Sequence, residues 1–204
     1  AVSVRKGRLE NVERNRDKAV GVTVAVGQRR GNASTSDFSP QALRQTVQAA
    51  YDIARFTAED PAAGLPDAED LALGEAAECR LDLFHPWQVD AEAAAEMALR
   101  CEAAAMGVDR RITNSDGAGV SAQQSHFFAG NSRGFRGGYA SSRHSLSVAP
   151  IATPSRRRRR PGGEMERDAW YSAKCVPADL AAPEAVGRYA AERALSRLGS
   201  RQIA

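Results

Sequence analysis

The sequence feature that most constrains the fold is a stretch, residues 59–87, in which neither a helical nor a strand period is sustained. Pro61 and Pro66 interrupt it, and five acidic residues lie between positions 59 and 70. Because proline disfavours the helical conformation of the residue before it, a preceding helix has to end before Pro61. Irregular stretches of this length are usually functional loops, linkers or disordered segments. We therefore predict that residues 58–88 form a connecting arm between two folded parts.

The first part, residues 1–57, carries strand patterns followed by one helix. The segment "VGVTVAV", residues 20–26, alternates valine with small or polar residues, which is the period of a strand with one buried face. With the shorter apolar patterns upstream, it predicts an antiparallel meander over residues 1–36. Ser39 and Pro40 then supply an N-cap and a first helical residue, so we expect a helix to begin there. This part is predicted to be an α+β unit.

The second part, residues 89–204, contains similar elements in a different order. Asp90 is the predicted N-cap of an alanine-rich helix that ends at Gly107. Glycine turns then separate long β-like segments from Ile112 onward, and a last helix is predicted from Pro183. Strands and helices in segregated runs favour an α+β fold over a doubly wound parallel sheet. The predicted fold is α+β, with antiparallel β-meanders packed with a few helices, in two similar halves joined by the arm.

Composition and charge restrict the class of protein. No segment approaches the roughly 18 apolar residues of a membrane span, and no basic segment precedes an apolar one as in a secretory signal. Cys79, Cys101 and Cys175 are widely spaced and indicate neither a disulfide framework nor a zinc ribbon. The formal net charge is +3, and without the five arginines Arg156–Arg160 it would be −2. We expect a soluble, cytoplasmic protein without a basic face.

Two glycine-containing motifs resemble catalytic or cofactor motifs but lack the context that those motifs require. "GNSRG", residues 130–134, fits the G-x-S-x-G nucleophile elbow, which would make Ser132 the nucleophile of a serine hydrolase. An elbow requires a helix after it, whereas the next segment is glycine-rich and β-like, so a hairpin turn is the preferred interpretation. "DGAGVSA", residues 116–122, resembles a dinucleotide fingerprint without the helix that would hold the pyrophosphate. Neither motif predicts catalysis or cofactor binding.

The histidines and the arginine run have simple structural interpretations. His85, His126 and His144 form no pair three to five residues apart, so the sequence predicts no closed zinc site. Arg156–Arg160 could neutralise phosphates, and such binding would depend strongly on salt. No aromatic residue interleaves the run for base stacking, and proline and glycine flank it. A solvated loop is the preferred interpretation, and a nucleic-acid-binding module is the alternative.

Longer stretches of the sequence resemble one known family. These stretches are "GRLENVERNRDKAVGVTV", "SPQALRQTVQAAYDIARFTAEDPAAGLPDAEDLA", "LDLFHP", "DRRITNSDGAG", "GNSRGFRGGYASSRHSLS", "MERDAWY" and "AAERALSRLGSRQI". In this order, and over nearly the whole chain, they resemble the TldE/PmbA subunits of the TldD/PmbA family, which are partner subunits of a zinc-dependent metalloprotease. The arginine run departs from the family pattern, in which a short turn precedes "MERD", and is interpreted as a loop insertion.

The resemblance implies a non-catalytic role for this chain. TldD subunits carry an H-E-x-x-x-H zinc motif in their C-terminal half, and TldE subunits share their fold without it. This chain contains no such motif, so we assign it no catalytic, cofactor or metal residue and expect zinc in a TldD-type partner. By resemblance the chain is the N-terminal part of a TldE-type subunit, without its first helix and its C-terminal domain. The family's cytoplasmic heterodimer cleaves peptides, including microcin leaders and antitoxins.

Two contact regions are predicted on this basis. An extended peptide can pair with an exposed sheet edge, and the polar strand around Asn131, Arg143 and His144 is the predicted contact for a peptide or partner. The arm has few apolar residues, so it has to lie on another surface to become ordered. That surface is either the chain's own sheet or the TldD-type subunit, and we expect the partner to order residues 59–87 in part.

Overall fold

The computed structural model describes residues 1–73, 81–154 and 165–200. Within these ranges the chain forms eight strands and three α-helices, and the antiparallel sheets confirm the predicted α+β class. In chain order the elements are β1 (Val2–Arg5), β2 (Arg8–Val12), β3 (Val20–Val26), β4 (Arg29–Thr35), α1 (Pro40–Phe56), α2 (Ala91–Met106), β5 (Ile112–Gly130), β6 (Arg136–Ala152), β7 (Glu166–Arg167), β8 (Trp170–Lys174) and α3 (Pro183–Ser196).

The larger sheet has six strands within the described part of the chain. Its order is β2-β1-β5-β6-β7, and β8 also pairs with β6. β1 lies antiparallel to β5, with Val2 opposite Val120. β8 lies antiparallel to β6, with His144 opposite Lys174. The long strand β6 therefore pairs with both strands that follow it in the chain, β7 and β8.

The strand pairing differs from the predicted meander over residues 1–36. β1 and β2 belong to the larger sheet, whereas β3 and β4 form a separate two-stranded sheet. Residues 13–19 between β2 and β3 are mostly polar and form no strand, so no local pattern aligns these two hairpins. Val2 and Val4 are 6% and 0% exposed and join the core of the larger sheet. Burial of these two valines decides which sheet the first hairpin joins.

The main core lies between the larger sheet and the helices α2 and α3. Both helices present small side chains to it, among them Ala98 and Cys101 of α2 and Ala190 and Ala194 of α3. At Gly187 of α3, an added Cβ would lie 2.3 Å from the Cys101 carbonyl oxygen. Small residues therefore allow the two helix backbones to approach closely.

The helix α1 packs on the separate sheet of β3 and β4. Thr46, Ala50 and Ala54 are its buried residues. The Ser39 side chain accepts a hydrogen bond from the Ala42 N–H at 3.3 Å, which confirms the predicted N-cap. These three buried positions recur every four residues, so they form one stripe along the helix, and this stripe is the face that packs on the sheet.

Contacts divide the chain into two compact units. Unit 1 consists of residues 1–14, 80–127 and 139–204, and unit 2 of residues 15–79 and 128–138. Each of these units consists of separate segments of the chain, whereas the parts predicted from the sequence are continuous segments. The predicted boundaries near residues 57 and 88 stay a prediction. None of the helices in the described ranges is long and apolar enough to cross a membrane.

Candidate functional site

Arg143 and His144 are neighbours on β6 and project to opposite faces, since side chains alternate along a strand. Arg143 is exposed, and His144 is 0% exposed. The Nε2 atom of His144 lies 2.8 Å from the His85 carbonyl oxygen. Because a carbonyl oxygen only accepts, Nε2 carries the proton and donates it. A peptide at the surface of β6 would meet Arg143, whereas His144 lies in the interior.

Ser142 joins β6 to residues 81–87, which we call the strap. The Ser142 backbone N–H donates to the Leu83 carbonyl oxygen at 2.8 Å. Its hydroxyl accepts from the His85 N–H at 2.9 Å and donates to the carbonyl oxygen of either Leu83, at 3.2 Å, or Cys175, at 3.0 Å. Nothing in the sequence distinguished Ser142 from the other serines of β6, and its role is visible only in the structure.

Aromatic rings hold the strap against the same sheet. The Trp87 ring meets the His144 ring edge-on, with 5.4 Å between centroids. The Phe84 ring lies 5.1 Å from the ring of His126. His85 Nε2 lies 2.9 Å from the Asp82 carbonyl oxygen, a contact within the strap itself. The strap therefore lies on the chain's own sheet, which was one of the two surfaces that the sequence left open.

Asn131 opens the turn between β5 and β6. Its Oδ1 accepts hydrogen bonds from the N–H groups of Arg133 at 3.0 Å and Phe135 at 3.2 Å. An asparagine side chain bonded to the backbone two residues on stabilises a turn. Ser132 is exposed in this turn, and the strand β6 follows it rather than a helix. The hairpin-turn interpretation of "GNSRG" is thus confirmed.

The earlier part of the arm contacts other residues of unit 2. The Asp60 N–H donates to the Gln28 carbonyl oxygen at 2.8 Å. The Arg133 guanidinium donates to the Pro66 carbonyl oxygen and lies 3.5 Å from the Asp67 carboxylate. Arg133 and Asp67 are 44% and 81% exposed, so this ion pair contributes little to stability. The arm residues 58–73 are anchored at few points.

The described residues do not fit a zinc site. Within residues 1–73, 81–154 and 165–200, no group of three histidine, cysteine, aspartate or glutamate side chains is arranged to hold a metal ion. Burial, helped by the nearby carboxylates of Glu184 and Glu102, raises the pKa of the Cys101 thiol to about 12. A thiol with this pKa is protonated at neutral pH and is a poor nucleophile or ligand. The Arg156–Arg160 run lies outside the described residues.

A group of charged side chains joins the β7–β8 turn to α3. The Asp168 carboxylate lies 3.0 Å from the Arg193 guanidinium and 3.6 Å from that of Arg197. Burial acts to raise the pKa of Asp168, but the Ala169 N–H and the two guanidinium groups together outweigh it and lower the pKa. Arg193 also lies over the Trp170 ring, 5.3 Å from its centroid. These ion pairs attach α3 to the β7–β8 turn, while the Arg193 Nε is buried without a hydrogen-bond partner among the described residues.

Comparison with known proteins gives two matching family models and several curated relatives. The model of the PmbA/TldA metallopeptidase central domain matches residues 84–198, and that of PmbA/TldA metallopeptidase domain 1 matches residues 1–54. The chain is 47% identical over 203 residues to Metalloprotease PmbA of Escherichia coli O157:H7, covering 100% of this chain and 43% of that protein. It is 38% identical over 206 residues to the Metalloprotease PmbA homolog of Haemophilus influenzae, covering 100% of this chain and 43% of that protein. The chain thus spans less than half the length of these relatives.

Solved structures share the fold. A protein of Bacteroides thetaiotaomicron, named provisionally as a modulator of DNA gyrase, superposes with a TM-score of 0.81 at 24% identity, over 99% of this chain and 44% of that one. TldE of Thermococcus kodakarensis superposes with a TM-score of 0.63 at 13% identity, over 95% of this chain and 41% of that one. The central-domain model matches more than half of the sequence, and the chain therefore belongs to the PmbA/TldA metallopeptidase family.

Proposed function

We propose that this chain is the N-terminal scaffold of a TldE/PmbA-type subunit, and that the zinc ion of the peptidase belongs to a TldD-type partner. The observation that carries the proposal is the 47% identity to Metalloprotease PmbA over the whole chain. The positions of the histidines support it, since His144 is buried and bonded to a backbone carbonyl. The proposed complex is a cytoplasmic heterodimer that cleaves peptides such as microcin leaders or antitoxins.

The proposed contribution of this chain is contact surface near the substrate channel. An extended peptide pairs with a sheet edge through its backbone and needs no catalytic group from the sheet. Arg143 is exposed on β6 and is the proposed contact for the peptide. Asn131 shapes the turn before β6, and His144 supports the strand from the interior. In this proposal, the three predicted site residues have three different roles.

Reconstitution of the complex tests the proposal. The full-length subunit that contains this chain is purified alone and together with a TldD-type subunit, and zinc content and peptide cleavage are measured for each sample. We expect stoichiometric zinc and cleavage in the complex, and neither in the isolated full-length subunit. Stoichiometric zinc together with cleavage by the isolated subunit would falsify the proposal.

The same complex tests the proposed peptide contact. Arg143→Ala is expected to raise KM for a peptide several-fold while leaving the zinc content unchanged, because the side chain touches substrate and not metal. Arg110→Ala is the matched control, since Arg110 is also exposed but lies in the turn before β5. Equal KM values for the two variants would remove Arg143 from the proposed contact surface.

A further inference from the structure

The two edges of the β3–β4 sheet differ in how they are covered. β3 and β4 pair over all seven residues of each strand without a bulge. On the β4 side, the Gln28 carbonyl oxygen accepts from the Asp60 N–H at 2.8 Å, and the Arg30 carbonyl oxygen accepts from the Thr57 hydroxyl at 3.1 Å. The end of α1 and the start of the arm therefore cover part of the β4 edge.

These contacts identify the backbone groups of β3 that point away from β4. Residues of an antiparallel pair alternate between hydrogen-bonded and non-hydrogen-bonded partners. The Arg30 carbonyl points away from β3, so Arg30 and its register partner Ala25 form a non-hydrogen-bonded pair. The backbone N–H and C=O groups of Ala25 therefore point away from β4, at the opposite edge of the sheet. By the same alternation, the backbone N–H and C=O groups of Gly21 and Thr23 also point away from β4. No strand among residues 1–73, 81–154 and 165–200 pairs with this outer edge of β3.

The outer edge of β3 lacks the features that protect exposed edge strands. Such strands are usually very short, or carry a lysine, a proline or a bulge that prevents pairing with another chain. β3 is seven residues long, and its sequence "VGVTVAV" contains no charge and no proline. A segment with high β-propensity and no charge is an aggregation hazard when it stays uncovered. The sequence of β3 is that of an inner strand.

The exposed part of α1 provides independent support. Thr46, Ala50 and Ala54 are buried on the sheet, whereas Val47 and Tyr51 are 49% and 41% exposed. A helix with its side chains is about 10 Å across, and neighbouring strands are about 4.8 Å apart. Two strands at this spacing are together only about as wide as the helix that they support. A third strand would widen the sheet that supports this helix.

We propose that a β-strand of the same polypeptide, from outside these 204 residues, pairs with the outer edge of β3 and completes the sheet of unit 2. The chain covers 43% of Metalloprotease PmbA of Escherichia coli O157:H7, so more than half of that relative lies outside the matched region. A strand of the same polypeptide covers the edge permanently, which removes the need for protective residues on β3. A peptide substrate would leave β3 bare between binding events, and a second copy would cover it only at high concentration.

Hydrogen exchange in the full-length protein tests the proposal with an internal control. The amides of Val22 and Val24 point toward β4 and are protected in any case, whereas those of Thr23 and Ala25 report the outer edge. We expect all four amides to exchange within roughly tenfold of one another. This result should hold at every protein concentration and without added peptide.

A photo-crosslinking residue at position 25 then identifies the covering strand. We expect the crosslinked peptide to come from the same polypeptide outside the region that corresponds to residues 1–204. Thr23→Pro removes an outer N–H and leaves the β3–β4 backbone hydrogen bonds in place, so it should lower the protection of Ala25. Thr23→Ala should not, although both variants lose the hydrogen bond from the Thr23 hydroxyl to the Asn32 Oδ1.

Four results would overturn the proposal. Fast exchange of Thr23 and Ala25 beside protected Val22 and Val24 would mean that the edge is open. Protection that appears only at high protein concentration would indicate a second copy, and protection that requires added peptide would indicate a substrate. A crosslink to a segment within residues 1–204 would place the covering strand inside this chain.

Discussion

At the residue scale, a single missing side chain determines how closely α2 and α3 approach. A Cβ added at Gly187 would lie 2.3 Å from the Cys101 carbonyl oxygen, and 3.0 Å from both the Ala104 Cβ and the Ala105 nitrogen. Two of these three atoms belong to the backbone of α2, so they cannot move without displacing the helix. The alanine-rich sequence of α2 is the counterpart of this glycine, since larger side chains would keep the helices apart.

Gly187→Ala is expected to destabilise the full-length protein by about 1–3 kcal/mol through overpacking. Alanine is the better helix former by about 1 kcal/mol, so a loss of stability would show that the helix contact outweighs helix propensity. Chemical denaturation measures the change in the free energy of unfolding. Gly21→Ala is the control, because a Cβ there meets no atom within 4 Å. A Gly187→Ala variant as stable as the parent protein would contradict the close approach.

At the scale of elements, polar side chains attach segments that have few apolar contacts. Asp168 joins the β7–β8 turn to Arg193 and Arg197 of α3. The Glu102 carboxylate of α2, 2% exposed, accepts the N–H groups of Lys6 and Gly7 in the turn between β1 and β2. Each carboxylate bridges two elements that are distant in sequence. The ion pairs of Asp168 require its charged carboxylate, which makes this attachment sensitive to acid.

The free energy of unfolding is expected to decrease as the pH is lowered through the acid range. The folded protein lowers the pKa of Asp168, and it lowers that of Asp109 from 3.8 to about 2 through hydrogen bonds from Arg111. A carboxyl group with a depressed folded pKa stabilises the fold above its unfolded pKa, and this stabilisation is lost as pH decreases toward the folded value. The loss should therefore occur between about pH 4 and pH 2.

Asp168→Asn should flatten this dependence, because asparagine has no charge to lose. Denaturation midpoints at a series of pH values measure the effect. Asp70→Asn is the matched control, since the Asp70 carboxylate makes no ion pair with the described residues, and it should keep the parental slope. Parallel pH profiles for Asp168→Asn and the parent protein would show that Asp168 does not contribute to acid sensitivity.

At the scale of the whole molecule, the two ends of the arm differ in their contacts. The strap, residues 81–87, is held by Ser142 and His144 through backbone and side-chain hydrogen bonds. Residues 58–73 carry few anchors and largely exposed side chains. The structure thus divides the arm, which the sequence presented as one irregular stretch, into a docked end and a weakly anchored end. In the proposed complex, the partner subunit has most to contribute at the weakly anchored end.

Hydrogen exchange with and without the TldD-type subunit tests this division in the full-length protein. We expect the strap to be protected in both states, and residues 59–73 to gain protection when the partner is added. Ser142→Ala should increase exchange in the strap alone, because the hydroxyl bonds to its backbone, and Ser147→Ala should not, because Ser147 is exposed on β6. If exchange in residues 59–73 did not change on addition of the partner, the arm would have no role in partner contact.

Local features of the sequence were predictable because few neighbouring residues determine them. Ser39 and Asp90 were identified as N-caps, and both accept the backbone N–H that the motif requires. The turn at "GNSRG" was predictable for the same reason, since glycine and asparagine residues satisfy its backbone locally. The helix α1 ends at Phe56, before Pro61 as predicted and within one residue of the predicted end of the first part at residue 57.

The candidate site was less predictable than these local features. His144 was selected as a surface contact because it is a polar residue in a polar strand, yet the ring is buried against the strap. Ser142 was not selected, although it makes more contacts with the strap than either predicted neighbour. Whether a polar side chain faces solvent or the interior depends on a segment about sixty residues earlier in the sequence. A single strand pattern carries no information about such a distant partner.

By itself, the sequence indicated the N-caps of α1 and α2, the end of α1 and the turn at "GNSRG", and it carried a resemblance to the TldD/PmbA family over nearly the whole chain. Both depend on the order of residues and on interactions within a few positions of one another. Only the tertiary structure decided that the first hairpin joins the larger sheet, that one edge of β3 meets no partner strand among the described residues, and that His144 holds the strap. Strands with a period of two have similar sequence patterns, so the pattern alone does not determine which strands pair. The pairing of the first hairpin is decided by the burial of Val2 and Val4 against residues more than a hundred positions away.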